Sequence, residues 1–276
     1  MSGAVLGWRA FTCALGLVAI SSWGVARIAP RARATPQPQA NAALVPAAST
    51  TPPAAIAAPL STAPRTVVGE GDARAESYPP LDAGRELAPV LVVLHGMCME
   101  PRDVCDFWPA PVRGASWVVC PRGNAVCGGA PDWGGPIPTR VDAAKRSLAA
   151  ARADGGARMD ESRRVLVGYS RGAYLARDLL YEGSERFVGA VFLGAAVRPD
   201  PSRLRAAGVV RVVLAAGDHD GARGTMVAAA ERLRAGGVAA RFVSLGPMGH
   251  GLPHDLAARL AEPLAWAAGE SASIVD

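Results

Sequence analysis

The sequence predicts an α/β fold with a mostly parallel sheet flanked by helices on both faces. Two kinds of segment point to it. Short apolar runs without alternation, such as Pro89–Leu94, are typical of strands buried on both faces. Segments with helical spacing, such as Val141–Asp154, alternate with them. The chain is 50% hydrophobic and 19% charged, which suffices to form a hydrophobic core and excludes a chain that is disordered over its whole length.

The elements follow one another along the second half of the chain. The predicted strands are Pro89–Leu94, Trp117–Cys120, Arg164–Gly168, Val188–Val197, Val209–Ala216 and Arg241–Leu245. The predicted helices are Val141–Asp154, Arg171–Tyr181, Thr225–Ala235 and Leu256–Ala267. Right-handed crossovers between parallel strands place helices on both faces of the sheet. Functional side chains are therefore expected where the strands end, at their carboxyl edge.

The N-terminal part of the sequence indicates that the protein is exported. Ala10–Ala26 is uncharged and apolar and follows Arg9, as in a signal peptide, but its length also suits a short membrane anchor. Residues 1–28 are thus assigned to a signal peptide or anchor, and both alternatives stay open. The Pro- and Ala-rich residues 29–65 read as a disordered linker, and residues 66–276 as one catalytic domain. We expect a periplasmic, extracellular or envelope-anchored protein, whose only membrane contact is an uncleaved N-terminal segment.

The charge distribution argues against nucleic acid as a partner. The net charge is +5, and residues 1–74 contribute six Arg against two acidic residues. The remainder is close to neutral, so it has no positive field of the size that nucleic-acid binding requires.

Four cysteines of the predicted domain fall close together: Cys98, Cys105, Cys120 and Cys127. An even number after a secretory-type segment indicates two disulfides. Three connectivities are open, of which we expect the local pairs Cys98–Cys105 and Cys120–Cys127. A zinc site and unpaired buried thiols are the alternatives, although the gaps are unlike a C-x2-C knuckle.

Gly168-Tyr169-Ser170-Arg171-Gly172 follows a buried strand and precedes a helix. This G-x-S-x-G pattern in a strand–turn–helix context is a nucleophile elbow, in which a tight turn exposes the serine hydroxyl. Gly168 and Gly172 are needed because side chains there would collide. The sequence therefore predicts Ser170 as a nucleophile, with a structural glycine turn as the alternative.

An acid and a histidine follow later strands. Gly217-Asp218-His219-Asp220 comes after Val209–Ala216, and we expect Asp220 to be the acid, with Asp218 as the alternative. His250 lies on a Gly-rich loop after Arg241–Leu245 and is the expected base. We interpret His219 as a turn residue and His254 as a residue at a helix start.

The order Ser170, Asp220, His250 is that of the α/β-hydrolases. Residues 88–267 resemble that superfamily, and most closely its lidless carboxylesterases, thioesterases and dienelactone-hydrolase-like enzymes. The resemblance implies that His95-Gly96-Met97 builds half of an oxyanion hole, formed by the N–H groups of Met97 and Arg171. It also implies that the usual first two strands are short or missing, because only about 20 residues precede Val90 in the domain.

The resemblance also places a cap domain, where one exists, after Val188–Val197. The next predicted strand follows too soon for one, so we expect no cap domain and an open site. Trp133 and Tyr169 are candidate pocket residues, and an ordinary loop anchor is the other interpretation of Trp133.

The expected function is a serine hydrolase that cleaves a carboxylic ester or thioester through an acyl-enzyme, with no metal or cofactor. The expected substrate is a small-molecule or lipid-like ester. An acyltransferase, a serine peptidase and a non-catalytic binding module on the same fold are the alternatives. Trapping by an amine or alcohol acceptor separates transfer from hydrolysis, and failure of Ser170 to react with a fluorophosphonate marks a binding module. The sequence does not indicate an oligomeric state.

Overall fold

The computed structural model describes residues 65–81, 87–108 and 116–269. The predicted signal peptide or anchor and all of the linker except Arg65 lie outside these residues. Among the described helices, none is both long enough and apolar enough to cross a membrane.

Eight strands of the described residues form one sheet, in the order β1-β2-β4-β3-β7-β8-β9-β10. Their bounds are β1 Thr66–Val68, β2 Ala75–Tyr78, β3 Ala88–Leu94, β4 Trp117–Pro121, β7 Met159–Tyr169, β8 Gly189–Leu193, β9 Arg211–Ala216 and β10 Ala239–Ser244. The strands from β4 to β10 in this order pair in parallel, and β2 is antiparallel to β1 and β4. The expected short first strands are β1 and β2.

Helices cover both faces of the sheet. Their bounds are α1 Pro101–Cys105, α2 Ile137–Gly155, α3 Arg171–Glu182, α4 Pro201–Ala206, α5 Arg223–Ala235 and α6 Leu256–Ala267. One buried cluster packs α2, α3 and α5 against one face, with Leu148, Leu175 and Met226 among its members. A second cluster packs α1 and α6 against the other face, through residues such as Val104 and Leu260. The predicted mostly parallel sheet between two helical layers is confirmed.

The structure corrects one predicted strand and adds a hairpin. The strand expected over Val188–Val197 ends at Leu193, because Gly194 has a φ of +56° and leaves the extended conformation. A separate hairpin, β5 Ala125–Cys127 and β6 Ala130–Asp132, follows β4 and was not predicted. Its turn is Gly128-Gly129, both with positive φ. Residues 194–210 hold only the short helix α4, so no cap domain is inserted between β8 and β9.

The predicted cysteine pairing is wrong, although two disulfides are present. Cys98 pairs with Cys127 (Cα–Cα 5.0 Å), and Cys105 pairs with Cys120 (Cα–Cα 6.6 Å). We call these the outer and the core disulfide. The core disulfide joins α1 to β4 and is fully buried, whereas the outer disulfide joins the segment after β3 to the hairpin. All four sulfurs are bonded in pairs, so they offer no thiolate ligands for zinc.

Candidate active site

Ser170 lies between β7 and α3 in a strained conformation, with φ +51° and ψ −116°. A Cβ on Gly168 would lie 2.6 Å from the Cα of Ala173, and one on Gly172 would lie 2.5 Å from the carbonyl oxygen of His95. Both distances are shorter than van der Waals contact, so the turn closes only with glycine at these two positions. The Ser170 N–H donates to the Leu193 carbonyl (2.9 Å) and fixes the turn against β8.

The structure brings Ser170, His250 and Asp220 together from three strand ends. Nε2 of His250 lies 3.1 Å from the Ser170 hydroxyl oxygen. Nδ1 of His250 lies 3.0 Å from Oδ2 of Asp220. The Asp220 side chain is 5% exposed and that of His250 is 50% exposed. A buried carboxylate therefore orients a solvent-accessible imidazole toward a hydroxyl.

Two backbone hydrogen bonds hold the acid loop against the histidine loop. The Asp218 N–H donates to the Gly246 carbonyl (2.8 Å), and the His219 N–H donates to the Met248 carbonyl (2.9 Å). These bonds place His250 beside the loop that carries Asp220, although the two are far apart in sequence. His219 thus takes part in a turn, as expected, through its backbone.

The two candidate acids differ in their surroundings. Oδ1 of Asp220 accepts from the Ala222 N–H (2.8 Å), which leaves Oδ2 facing His250. Asp218 instead accepts from the Ser244 hydroxyl (2.7 Å) and lies 3.5 Å from the Arg223 guanidinium. The structure therefore brings Asp220, and not Asp218, to the imidazole.

Tyr169 packs beneath the imidazole rather than lining an open pocket. The residue is 6% exposed, and its ring stacks on His250 with the centroids 5.4 Å apart. Burial, and then the nearby Asp220 charge, raises the pKa of Tyr169, so the phenol stays neutral. Gly194 completes this floor: a Cβ there would lie 3.2 Å from Tyr169 and 3.3 Å from His250. Gly194 was not predicted, because its only signal in the sequence is a glycine directly after a buried strand.

The expected oxyanion donors adjoin the serine. A Cβ on Gly96 would lie 3.4 Å from the Ser170 Cβ, which places the start of the Met97 segment next to the elbow. In the described part of the chain the Met97 N–H donates to no acceptor, and the Arg171 N–H, as the first of α3, has no acceptor within the helix. Both groups are therefore available to a ligand oxygen.

His95 anchors that segment from below. The residue is 1% exposed, and its ring nitrogens lie 2.7 Å from the carbonyl oxygens of Gly96 and Arg122. Burial lowers the pKa of His95, although the two carbonyls favour its protonated form. Trp133 stacks on this ring and donates from Nε1 to the His95 carbonyl (3.0 Å). Because Trp133 is itself 1% exposed, it is a loop anchor, and its interpretation as a pocket wall is wrong.

The Arg171 side chain joins the elbow to the hairpin. Its Nη1 lies 2.6 Å from Oδ2 of the buried Asp132, and its Nη2 lies 2.9 Å from the sulfur of Met97. The outer disulfide ties the same hairpin to Cys98, which has a φ of +50° and directly follows Met97. These supports were not predicted, because nothing in the local sequence pattern pairs residue 132 with residue 171.

The comparisons with known proteins bear on the fold. The sequence matches no protein-family model and no curated protein. A Bacillus cereus carboxylesterase structure is 22% identical, with a TM-score of 0.52 over 70% of this chain and 93% of that chain. An S-formylglutathione hydrolase from Agrobacterium tumefaciens is 17% identical, with a TM-score of 0.55 over 71% and 89%. A structure described as one of two esterases from Rhizomucor miehei is 14% identical, with a TM-score of 0.56 over 75% and 84%. Together with the strand order and the absence of a cap between β8 and β9, these similarities show that the chain has the α/β-hydrolase fold.

Proposed function

We propose that the protein is a serine hydrolase that cleaves a carboxylic ester or thioester. The observation that carries the proposal is the continuous chain of hydrogen bonds from Asp220 through His250 to Ser170. The solved structures with the same fold include proteins described as a carboxylesterase and a fungal esterase, which supports the same reaction class.

The proposed reaction begins when His250 Nε2 takes the hydroxyl proton as Ser170 Oγ attacks the carbonyl carbon. Asp220 keeps the proton on Nδ1 of His250 and stabilises the imidazolium. The carbonyl oxygen becomes an oxyanion, which accepts from the N–H groups of Met97 and Arg171. Arg171 lies at the start of α3 and Met97 lies beside it, where the helix dipole favours negative charge.

The tetrahedral intermediate then collapses. The bond to the leaving alkoxide or thiolate breaks, His250 delivers its proton to that group, and an acyl-Ser170 ester remains. Water, deprotonated by His250, attacks the acyl-enzyme and releases the acid and the free serine. The half-exposed imidazole gives water direct access to this step. No step requires a metal ion or cofactor.

The test is labelling of the full chain with a fluorophosphonate, followed by assays on p-nitrophenyl esters of increasing acyl length. Ser170→Ala is expected to abolish labelling and to lower kcat by on the order of a millionfold. Ser184→Ala is the matched control, because its hydroxyl contacts Glu182 on the surface and should leave both readouts unchanged. Turnover retained by a folded Ser170→Ala protein would refute the proposal.

We also propose that the protein is exported. Two disulfides in the described residues support an oxidising compartment, since reducing cytosol disfavours such bonds. Mass spectrometry of the periplasmic and medium fractions of expressing cells tests this, and would show whether residues 1–28 are removed. Recovery of only the reduced, uncleaved protein from the cytosol would contradict it.

A further inference from the structure

A cavity of about 350 Å³ lies beside β2 and α1, and its lining is strongly basic. Six charged residues line it: Arg65, Arg74, Arg102, Arg122, Glu76 and Glu100. Four positive and two negative charges leave it with a formal charge of +2. None of these side chains takes part in the site described above, and only the backbone carbonyl of Arg122 contacts His95.

Two of the arginines have no anionic partner in the described residues. Arg65 is paired with Glu76 at 3.4 Å. Arg74 and Arg122 form no ion pair, and their guanidinium groups make no hydrogen bond with a described residue. The Arg122 N–H donates to the Arg74 carbonyl (2.9 Å), so the two residues are held side by side. Both side chains line this cavity, and like charges that share a cavity repel each other unless an anion lies near them.

The side chains of the N-terminal segment cannot supply an anion for Arg74 and Arg122. Residues 1–64 contain no Asp and no Glu. A carboxylate or phosphate group of a ligand suits the two arginines, because guanidinium groups bind such anions through two parallel hydrogen bonds.

The sheet register places this cavity at the same edge as Ser170. Ala75 of β2 pairs with Pro121 at the end of β4, and Leu94 at the end of β3 pairs with Gly168 of β7. Since β4 neighbours β3, these strand ends form one row at about 4.8 Å per strand. The row spans roughly 10–15 Å from the cavity to the elbow. The carbonyl of Arg122 also contacts His95, which connects the cavity wall to the Met97 segment.

We propose that this cavity binds an anionic group of the substrate. This inference rests on the proposed function and specifies its substrate class: an ester whose acyl or alcohol part carries a carboxylate or similar anion roughly 10–15 Å from the scissile carbonyl. Arg74 and Arg122 are then specificity residues, and the triad cleaves neutral esters without them.

The experiment compares charged and neutral substrates of equal length. One pair is the mono-p-nitrophenyl ester of sebacic acid and its methyl-capped form. The reverse pair is the acetate ester of ω-hydroxydecanoate and its methyl ester. The corresponding adipate pair is too short to reach the cavity and serves as the length control. The chain is assayed as wild type, as Arg74→Gln/Arg122→Gln, and as Arg241→Gln, which removes a charge at the opposite edge strand.

The wild type is expected to prefer the long anionic ester of at least one pair in kcat/KM, but not the adipate. The double variant should lose this preference by about tenfold while its turnover of the neutral ester stays unchanged. A wild type without preference, a preference that survives in the double variant, or an equal loss in Arg241→Gln would overturn the inference.

A binding measurement separates this inference from the proposed function. Calorimetric titration of the Ser170→Ala protein with sebacate should show binding that the two arginine substitutions remove. Failure to cleave any neutral ester, with sebacate binding intact, would refute the hydrolase proposal alone. Neutral-ester cleavage without an anion preference and without sebacate binding would refute the cavity alone.

Discussion

Replacing Asp220 by asparagine tests the proposed mechanism at its most buried member. Oδ1 of Asp220 accepts from the Ala222 N–H, so the asparagine carbonyl oxygen takes that position and its amide NH₂ faces His250. The amide donates to Nδ1, and the imidazole must then carry its proton on Nε2. A protonated Nε2 cannot accept the proton of Ser170.

Because the imidazole is then in the wrong tautomer, we expect kcat to fall about ten-thousandfold, which corresponds to an activation free energy about 5.4 kcal/mol higher. The fold should survive, because asparagine matches aspartate in volume and keeps the bond to Ala222. The assay is kcat on a short p-nitrophenyl ester, with thermal unfolding as the check on folding.

Asp218→Asn is the matched control. Its side chain contacts Ser244 and Arg223 near the surface, so kcat should change by less than about threefold. A large loss in Asp218→Asn together with near-normal turnover in Asp220→Asn would refute the assignment of the acid.

Three further predictions concern the supports of the site. Replacing both cysteines of the outer disulfide by serine should lower kcat/KM as well as the free energy of unfolding, whereas replacing the core pair by alanine should lower only the latter. The outer and core disulfides close loops of 29 and 15 residues, so their loss should lower the free energy of unfolding, measured by urea denaturation, by about 3.6 and 3.0 kcal/mol. Equal turnover by both variants would contradict the role of the outer disulfide. Gly172→Ala should cost about 1–3 kcal/mol and slow turnover, because its Cβ would overlap the His95 carbonyl. Gly224→Ala, with open space around its Cβ, should do neither, and identical melting curves for the two variants would argue against this packing. Burial lowers the pKa of His95 from its ordinary 6.5, so the unfolded state binds a proton that the folded state does not. The free energy of unfolding should therefore fall as the pH drops below 6.5, by at most about 1.4 kcal/mol per pH unit, and the slope should flatten in a His95→Asn variant; an unaltered slope would contradict it.

The local sequence patterns carry much of the fold. A run such as Pro89–Leu94 predicts a buried strand because both of its faces lack polar groups, and β3 covers that run. The predicted helix over Leu256–Ala267 coincides with α6. Short elements were harder to predict, since the three-residue strands of the hairpin contain too few residues to show a period.

The sequence likewise predicts one part of the candidate site and leaves another part to the tertiary structure. The glycines around Ser170 are required by one tight turn, so the sequence alone predicts the elbow and the order in which the proposed acid and base follow it. Asp218 and Asp220 are chemically alike and two residues apart, and only the hydrogen bonds between their loop and the His250 loop decide which one reaches the imidazole.

The sequence by itself determined the alternation of strands and helices, the tight turn at Ser170 and the strand ends that carry the proposed acid and base, because each depends on residues that are neighbours in the chain. Only the tertiary structure decided the cysteine pairs, the contact between Arg171 and Asp132, and the basic cavity at the sheet edge. These depend on distances between residues far apart in the chain, which the packing of helices on the sheet sets and which no local pattern encodes.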